Sequence, residues 1–434
     1  MGPFHYSLKT TRLTGRTQAN GTQQDLTDMQ DKNSTAANLV REIRNELEGN
    51  IIPFWKSKVL DEKNGGFIGE MTSDGTVLAD ADKGLILNAR NLWSYACCCR
   101  HLNDATLKPL ADRAYQYIED HFLDKDYGGA YWMLDAKGTP IDTSKKCYGQ
   151  AFLIYGWVEY FRITRKPGVL AQAMQLYRIL EAQVKDPVHG GYPEAFDRDW
   201  SLNDALRLSD KDMNEKKSMN NHLHVLEAYT QLFIETRDPD VGRSIADLLG
   251  IFRDHIIDRD RGHLKLFFSD DWSCKSELDS YGHDIEATWL QCEAAEALGD
   301  REWISLMQQI ALEMTDVCLL EGFDSDGAVF HEGWKCHIHD RDKHWWPQAE
   351  AIVGLVNAWQ ISGKQRYLDA AEKTWSFIRD HIVDRNNGEW HWKVDGDRRL
   401  CPQDPKVSAW KSFYHNSRFC IETIHRLANQ QAFL

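Results

Sequence analysis

A glycine-aromatic motif recurs six times along the chain, at Gly65-Gly66-Phe67, Gly128-Gly129-Ala130-Tyr131, Gly190-Gly191-Tyr192, Gly262-His263-Leu264, Gly327-Ala328-Val329-Phe330 and Gly388-Glu389-Trp390. The spacing of about 60 to 70 residues marks an internal repeat. Each motif reads as a turn followed by a short alternating strand, as in Ala130-Tyr131-Trp132-Met133. A unit of that size cannot bury its own apolar face, so six of them must stack on one another.

Two helical patterns belong to each repeat. The first runs from about Thr35 to Ser57, with Leu39, Ile43, Leu47 and Ile51 on one stripe, and its partner covers about Lys83 to His101. Later pairs cover about 104–121 with 147–164, 167–184 with 218–236, 239–257 with 282–298, 300–318 with 344–362, and 364–382 with 412–430. Pro167, Pro239 and the aspartates around each turn fit helix starts and stops. The expected fold is all-α: twelve helices closed into an (α/α)6 barrel, with short β-hairpins in the connecting loops. An open solenoid is the competing shape, since it also stacks helix pairs.

Composition narrows the function. A formal charge of -15 disfavours nucleic acid and anionic membrane as partners, because phosphate binding needs a basic stripe. No run of about 18 apolar residues predicts a membrane span. Residues 1–33 are rich in Thr, Gln and Asp without an apolar core, and are expected as a disordered tail ahead of a catalytic barrel over 34–434. Ten cysteines lack paired spacing, which predicts reduced thiols in a cytoplasmic setting. Cys336, His337, His339 and His344 lack the paired ligand spacing of a structural zinc site, so no metal is expected.

Polar residues gather at the starts of alternate helices: Arg90, Tyr148, Asn220 with His222 and His224, His283 with Glu286, Trp346 with Glu350, and Trp410 with His415. If those helices form the inner ring, their N-terminal ends share one mouth, whereas an open solenoid would leave them in a row. His283 and Glu286 are spaced i, i+3, so the carboxylate is expected to orient the ring. The positive helix end disfavours the imidazolium and keeps the ring available as a base. Of His222 and His224, which cannot face the same way, His224 shares a face with Asn220 and is the expected site residue. Two histidines on opposite sides of a substrate suit removal of a proton from one face and its return to the other. Arg90 supplies the cation for the negative charge of an enediol-like state, and tryptophan faces suit sugar rings.

The motifs Asn88-Ala89-Arg90-Asn91-Leu92-Trp93, Asn220-Asn221-His222-Leu223-His224, Gly282-His283-Asp284-Ile285-Glu286, Trp345-Trp346-Pro347-Gln348-Ala349-Glu350 and Tyr414-His415-Asn416-Ser417-Arg418 resemble the N-acylglucosamine 2-epimerase superfamily, in its cellobiose 2-epimerase branch, over about residues 35–430. The resemblance implies the (α/α)6 barrel and a cofactor-free isomerase, a carbohydrate 2-epimerase acting at C2 of the reducing-end glucose of β-1,4-linked disaccharides. Cellobiose would become glucosyl-mannose, and lactose would become epilactose. It further implies that His283 and His415 exchange the C2 proton, His224 assists ring opening and Glu286 orients His283. Arg90 and Tyr148 would hold the O1/O2 region, Trp346 and Trp410 would stack on sugar rings, and Asn220 and Glu350 would belong to the pocket. The expected partner is a small-molecule disaccharide, and the expected assembly is a monomer or weak homodimer.

Relatives often carry Cys-Pro where this chain has Ser412-Phe413, so a bulkier Phe413 near the pocket is expected to alter the acceptor site. Mannobiose epimerisation or aldose–ketose isomerisation stays open on the same scaffold. A glycoside hydrolase using Glu286 and Glu350 is a rival reading, and a non-catalytic sugar-binding module using the tryptophans alone is another.

Overall fold

The computed structural model describes residues 23–208 and 212–430, with side chains from 35 to 428 in those ranges. Helix α1 (Gln23–Glu46) runs on through a π-turn at Leu47–Ile51 to Ser57. There follow α2 (Leu85–Leu102), α3 (Lys108–Tyr117), α4 (Cys147–Thr164), α5 (Pro167–Ile179), α6 (Met219–Thr236), α7 (Pro239–Ile251), α8 (Tyr281–Leu298), α9 (Arg301–Glu321), α10 (Trp345–Ser362), α11 (Gln365–Phe377) and α12 (Tyr414–Gln430). The expected helices are all present. Helix α1 starts upstream of the expected position, at Gln23, while 1–22 lie outside the described residues.

Burial divides the helices into two layers. In α4 every residue from Cys147 to Tyr160 is buried, the pattern of a helix surrounded by protein on all sides. Helix α7 buries only Val241, Ser244, Ile245, Leu248 and Leu249, one face of an outer helix. The even-numbered helices form the inner ring and pack each on the next, and α12 packs on both α10 and α2. Helix α1 lies against α11 and α12 from outside. That contact closes the barrel and excludes the open solenoid. The stripe on α1 is buried as the periodicity predicts, with Ile43, Leu47 and Ile51 fully enclosed.

Strands of two to four residues tie consecutive repeats together. The strand leading into each inner helix pairs antiparallel with the hairpin of the next repeat: Lys83 opposite Leu134, Lys145 opposite Phe196, Lys217 opposite Phe268, Ser280 opposite Glu332, and Lys343 opposite Val394. Met71 bridges Val407, joining the first repeat to the last.

A buried lysine ahead of five inner helices locks each helix start to the turn of its repeat. Lys83 binds Asp61 at 2.7 Å, Lys145 binds Asp124 at 3.0 Å, Lys217 binds Asp186 at 2.8 Å and Lys343 binds Asp324 at 2.6 Å. Lys411 binds Glu389 at 3.3 Å, and Lys406 takes the aspartate of that turn, Asp384. The fourth repeat inverts the pair, with Asp279 accepting from Arg261 at 2.6 Å. Charges this deeply enclosed persist only when paired, so each pair pins one helix N-terminus in register with its neighbours.

Candidate active site

The side chain five residues past Lys145, Lys217, Asp279 and Lys343 reinforces that anchor. The Gln150 amide bonds both backbone groups of Ala130, and Gln348 does the same at Val329. Asp284 accepts from the Leu264 amide at 2.8 Å. His222 occupies the equivalent place: its Nε2 accepts from the Tyr192 N–H at 2.9 Å, so its Nδ1–H donates to the Ser218 carbonyl at 2.7 Å. Both nitrogens are engaged by backbone, and burial pushes the ring pKa down to about 3. His222 is therefore structural and His224 faces inward.

Two residues further on, seven past the lysine or its equivalent Asp279, stand Arg90, Phe152, His224, Glu286, Glu350 and Arg418, one from each inner helix. Above this ring, at the N-terminal mouth, lies a cavity of about 480 Å³. Arg90, Tyr148, Asn220, His224, His283, Glu286, Trp346, Trp410 and His415 all line it. Glu350 does not; it sits behind His415, accepting from its Nδ1 at 2.7 Å.

The His283 ring lies 4.7 Å from the Trp346 ring and the His415 ring 5.6 Å from it, so one indole carries both imidazoles. Trp346 can lie there because residue 282 is glycine: a Cβ at Gly282 would meet its ring at 2.5 Å. Arg90 donates to the Tyr148 hydroxyl at 2.8 Å and to the Trp410 carbonyl at 3.1 Å, with its guanidinium 4.3 Å from the centre of the Phe152 ring. His224 Nδ1 pairs with Glu227 at 2.8 Å. A carboxylate or hydroxyl that engages Nδ1 leaves Nε2 for substrate. Trp345 and His344, which stand beside Trp346 in sequence, also line the cavity, as do Trp392 and His331, for which the sequence carried no motif.

Two expectations are corrected. Glu286 does not orient His283: the Ser280 hydroxyl pairs with His283 Nδ1 at 2.7 Å, and Glu286 binds the Arg418 guanidinium. The i, i+3 spacing permits a contact without compelling it, and a buried arginine competes better for a carboxylate than a neutral ring. Phe413 is not at the pocket. It is fully buried, stacked 4.9 Å from Trp55 and edge-on to Tyr95 at 4.8 Å, on the outer side of α12.

Burial, with His224 and His331 nearby, pushes the His283 pKa down to about 3. Burial and the cations Arg90 and Arg418 hold His415 well below its usual range. Burial and then Glu350 raise Glu286 to about 7. Burial also opposes ionisation of Glu227, but Arg418 and His224 outweigh it and bring Glu227 down to about 2.

Ligand atoms of Glu286, Glu350 and His415 converge within 4.8 Å of one another, as a metal site requires, but Arg418 fills that place, 2.7 Å from Glu350. His331, Asp340 and His344 also approach within 4.8 Å. Their two imidazoles stack nearly parallel at 4.0 Å, which directs lone pairs side by side instead of at one ion. Glu286 and Glu350 share one guanidinium below the histidines, so they do not flank a glycosidic bond as a hydrolase needs.

The profile of the N-acylglucosamine 2-epimerase (GlcNAc 2-epimerase) family matches residues 66–418. The cellobiose 2-epimerase of Bacteroides fragilis is 41% identical over 387 residues, covering 89% of this chain and 98% of that protein. The cellobiose 2-epimerase of Dictyoglomus turgidum is 40% identical over 390 residues, covering 90% and 99%. The solved cellobiose 2-epimerase of Bacillus thermoamylovorans superposes with a TM-score of 0.85 at 36% identity, covering 90% of this chain and all of that one. A D-mannose isomerase at 22% identity, TM-score 0.78, and a GH76 α-mannanase from Bacteroides thetaiotaomicron at 10%, TM-score 0.60, share the fold alone. With a family match across most of its length and relatives near 40% identity from end to end of the barrel, the chain belongs to the N-acylglucosamine 2-epimerase family.

Proposed function

We propose that the protein is a cellobiose 2-epimerase, interconverting glucose and mannose at the reducing end of β-1,4-linked disaccharides. The observation that carries the reading is the pair His283 and His415 on one indole, both held neutral in a cavity that also contains Arg90. The opened sugar presents C2 between the rings. One neutral imidazole takes the C2 proton, Arg90 with the Tyr148 hydroxyl balances the charge of the enediolate, and the other ring, having first picked up a proton to become an imidazolium, gives that proton to the opposite face. His224, backed by Glu227, serves ring opening. Trp346 and Trp410 offer faces for the sugar rings, and Asn220 offers hydrogen bonds to hydroxyls. Glu350 acts through His415, accepting its Nδ1–H so that Nε2 is the base. No step requires a metal or nucleotide.

A cytoplasmic setting suits ten free thiols. No helix among the described residues is long and apolar enough to cross a membrane. A monomer or weak homodimer is the proposed assembly.

Incubating lactose and cellobiose with the protein in D₂O tests the reading by NMR. The expected products are epilactose and glucosyl-mannose, with deuterium at C2 and the glycosidic bond intact. Product without solvent label at C2 would refute proton exchange, and free glucose would point to hydrolysis.

A further inference from the structure

Beneath the catalytic cavity the barrel axis is crossed by a single polar layer. Arg418, 1% exposed, binds Glu227, Glu286 and Glu350 with one guanidinium and touches the Tyr414 hydroxyl as well. The three carboxylates come from α6, α8 and α10, and none is more than about 2% exposed. Below the layer a second cavity of about 710 Å³ opens at the C-terminal ends of the inner helices, floored by Trp93, Tyr155 and Trp289. The layer thus separates two chambers, and two of its acids hold a histidine above. Glu227 holds His224, Glu350 holds His415, and Glu286 stands one turn along α8 from His283 with Oε2 bonded to nothing among the described residues.

Three ionised carboxylates around one guanidinium would bury a net double negative charge, which a low-dielectric interior does not sustain. The layer therefore retains protons. Proton exchange at C2 needs such a store, because two neutral imidazoles can accept protons but one of them has to arrive charged.

We propose that Arg418 is a positioning residue that sets how many protons the site retains, by holding Glu227, Glu286 and Glu350 on one guanidinium. The inference rests on the epimerase reading above. Over a cycle the C2–H bond breaks toward one imidazole, and the new C2–H bond forms from the other, charged imidazolium. The proton that ring loses is made good by one from the carboxylate layer, and the proton the first ring has gained passes back to the layer, so charge and proton number are conserved. The groups facing the layer are His224 from α6, His283 from α8, and His415 with Tyr414 from its own helix. From α2 comes Arg90, from α4 come Tyr148 and Tyr155, and Glu293 of α8 approaches from the lower chamber.

Two variants with opposite signs test the inference, measured beside the wild-type protein in the same epimerisation assay. Arg418→Lys keeps the charge but cannot reach three acids, so the layer takes up a further proton. The acidic limb of kcat/KM should move up by at least one pH unit, and kcat should fall at least 30-fold with KM within threefold. Glu286→Gln removes one acid, so the remaining two are held more firmly and the acidic limb should move down. A purely structural arginine would lower the melting temperature of Arg418→Lys and leave the profile in place, and that result overturns the inference. If Arg418→Lys does not fold, an unchanged or upward limb in Glu286→Gln overturns it alone. A wild-type protein that does not epimerise removes the epimerase reading instead, so the two failures are distinguishable.

Discussion

Replacing Gly282 by alanine separates the geometry of the site from the stability of the barrel. The new Cβ would lie 2.5 and 2.7 Å from Trp346 ring carbons and 2.9 Å from Pro347 Cγ. Carbon atoms settle near 3.5–4.0 Å, so the indole or the first turn of α8 has to shift by roughly 1 Å. Stability should respond little. Alanine favours helix over glycine by about 1 kcal/mol, which offsets much of an overpacking cost of about 1–3 kcal/mol. Activity should respond strongly, because the displaced ring is the one on which His283 and His415 rest. A misplacement of about 1 Å costs roughly 10²-fold in rate, near 2.7 kcal/mol of barrier. Initial rates of lactose epimerisation by NMR, beside a thermal melt, give both quantities from one preparation. A variant with kcat within about threefold of wild type would refute the argument that Trp346 sets the spacing of the two imidazoles. A collapse in melting temperature would show instead that the glycine serves packing.

Other outcomes follow from the same geometry. His283→Asn and His415→Asn should each lower kcat by more than about 10²-fold in initial-rate assays, the scale of lost acid–base catalysis. Glu350→Gln should lower kcat by about 10²-fold or more while KM changes little, since an amide in place of the carboxylate misdirects the His415 tautomer. For Phe413→Ala, the loss of the Trp55 stack should cost about 3–5 kcal/mol in urea unfolding, with the ratio of cellobiose to lactose turnover unchanged. His222 gives a pH test. Its folded pKa of about 3 lies below the unfolded value near 6.5, so the unfolded chain binds the extra proton between them. Stability from this group is complete above pH 6.5 and is lost as the pH falls toward 3. In urea titrations, the advantage of wild type over His222→Gln should shrink by about 1.4 kcal/mol per pH unit below pH 6.

Much of this was legible in the chain itself, and the reason is locality. The six glycine motifs, the helix pairs and the polar residues at inner-helix starts are spaced by the repeat, so they can be read without knowing what touches what. The lysine ahead of five inner helices carries no such signal, because only its acidic partner in the turn shows its purpose. His224 could be chosen over His222 because residues two apart on a helix point apart. What needed the tertiary structure was every choice among partners remote in sequence. Glu286 had a histidine three residues away and took an arginine 132 residues away, because closure of the ring brings α12 against α8 through the axis. Phe413 turned to Trp55, far earlier in the chain, and so left the pocket to Trp346 and Trp410. Local spacing decides which residues can meet, but burial decides which of them must, since a charge sealed from water binds whatever countercharge the closed barrel brings to it.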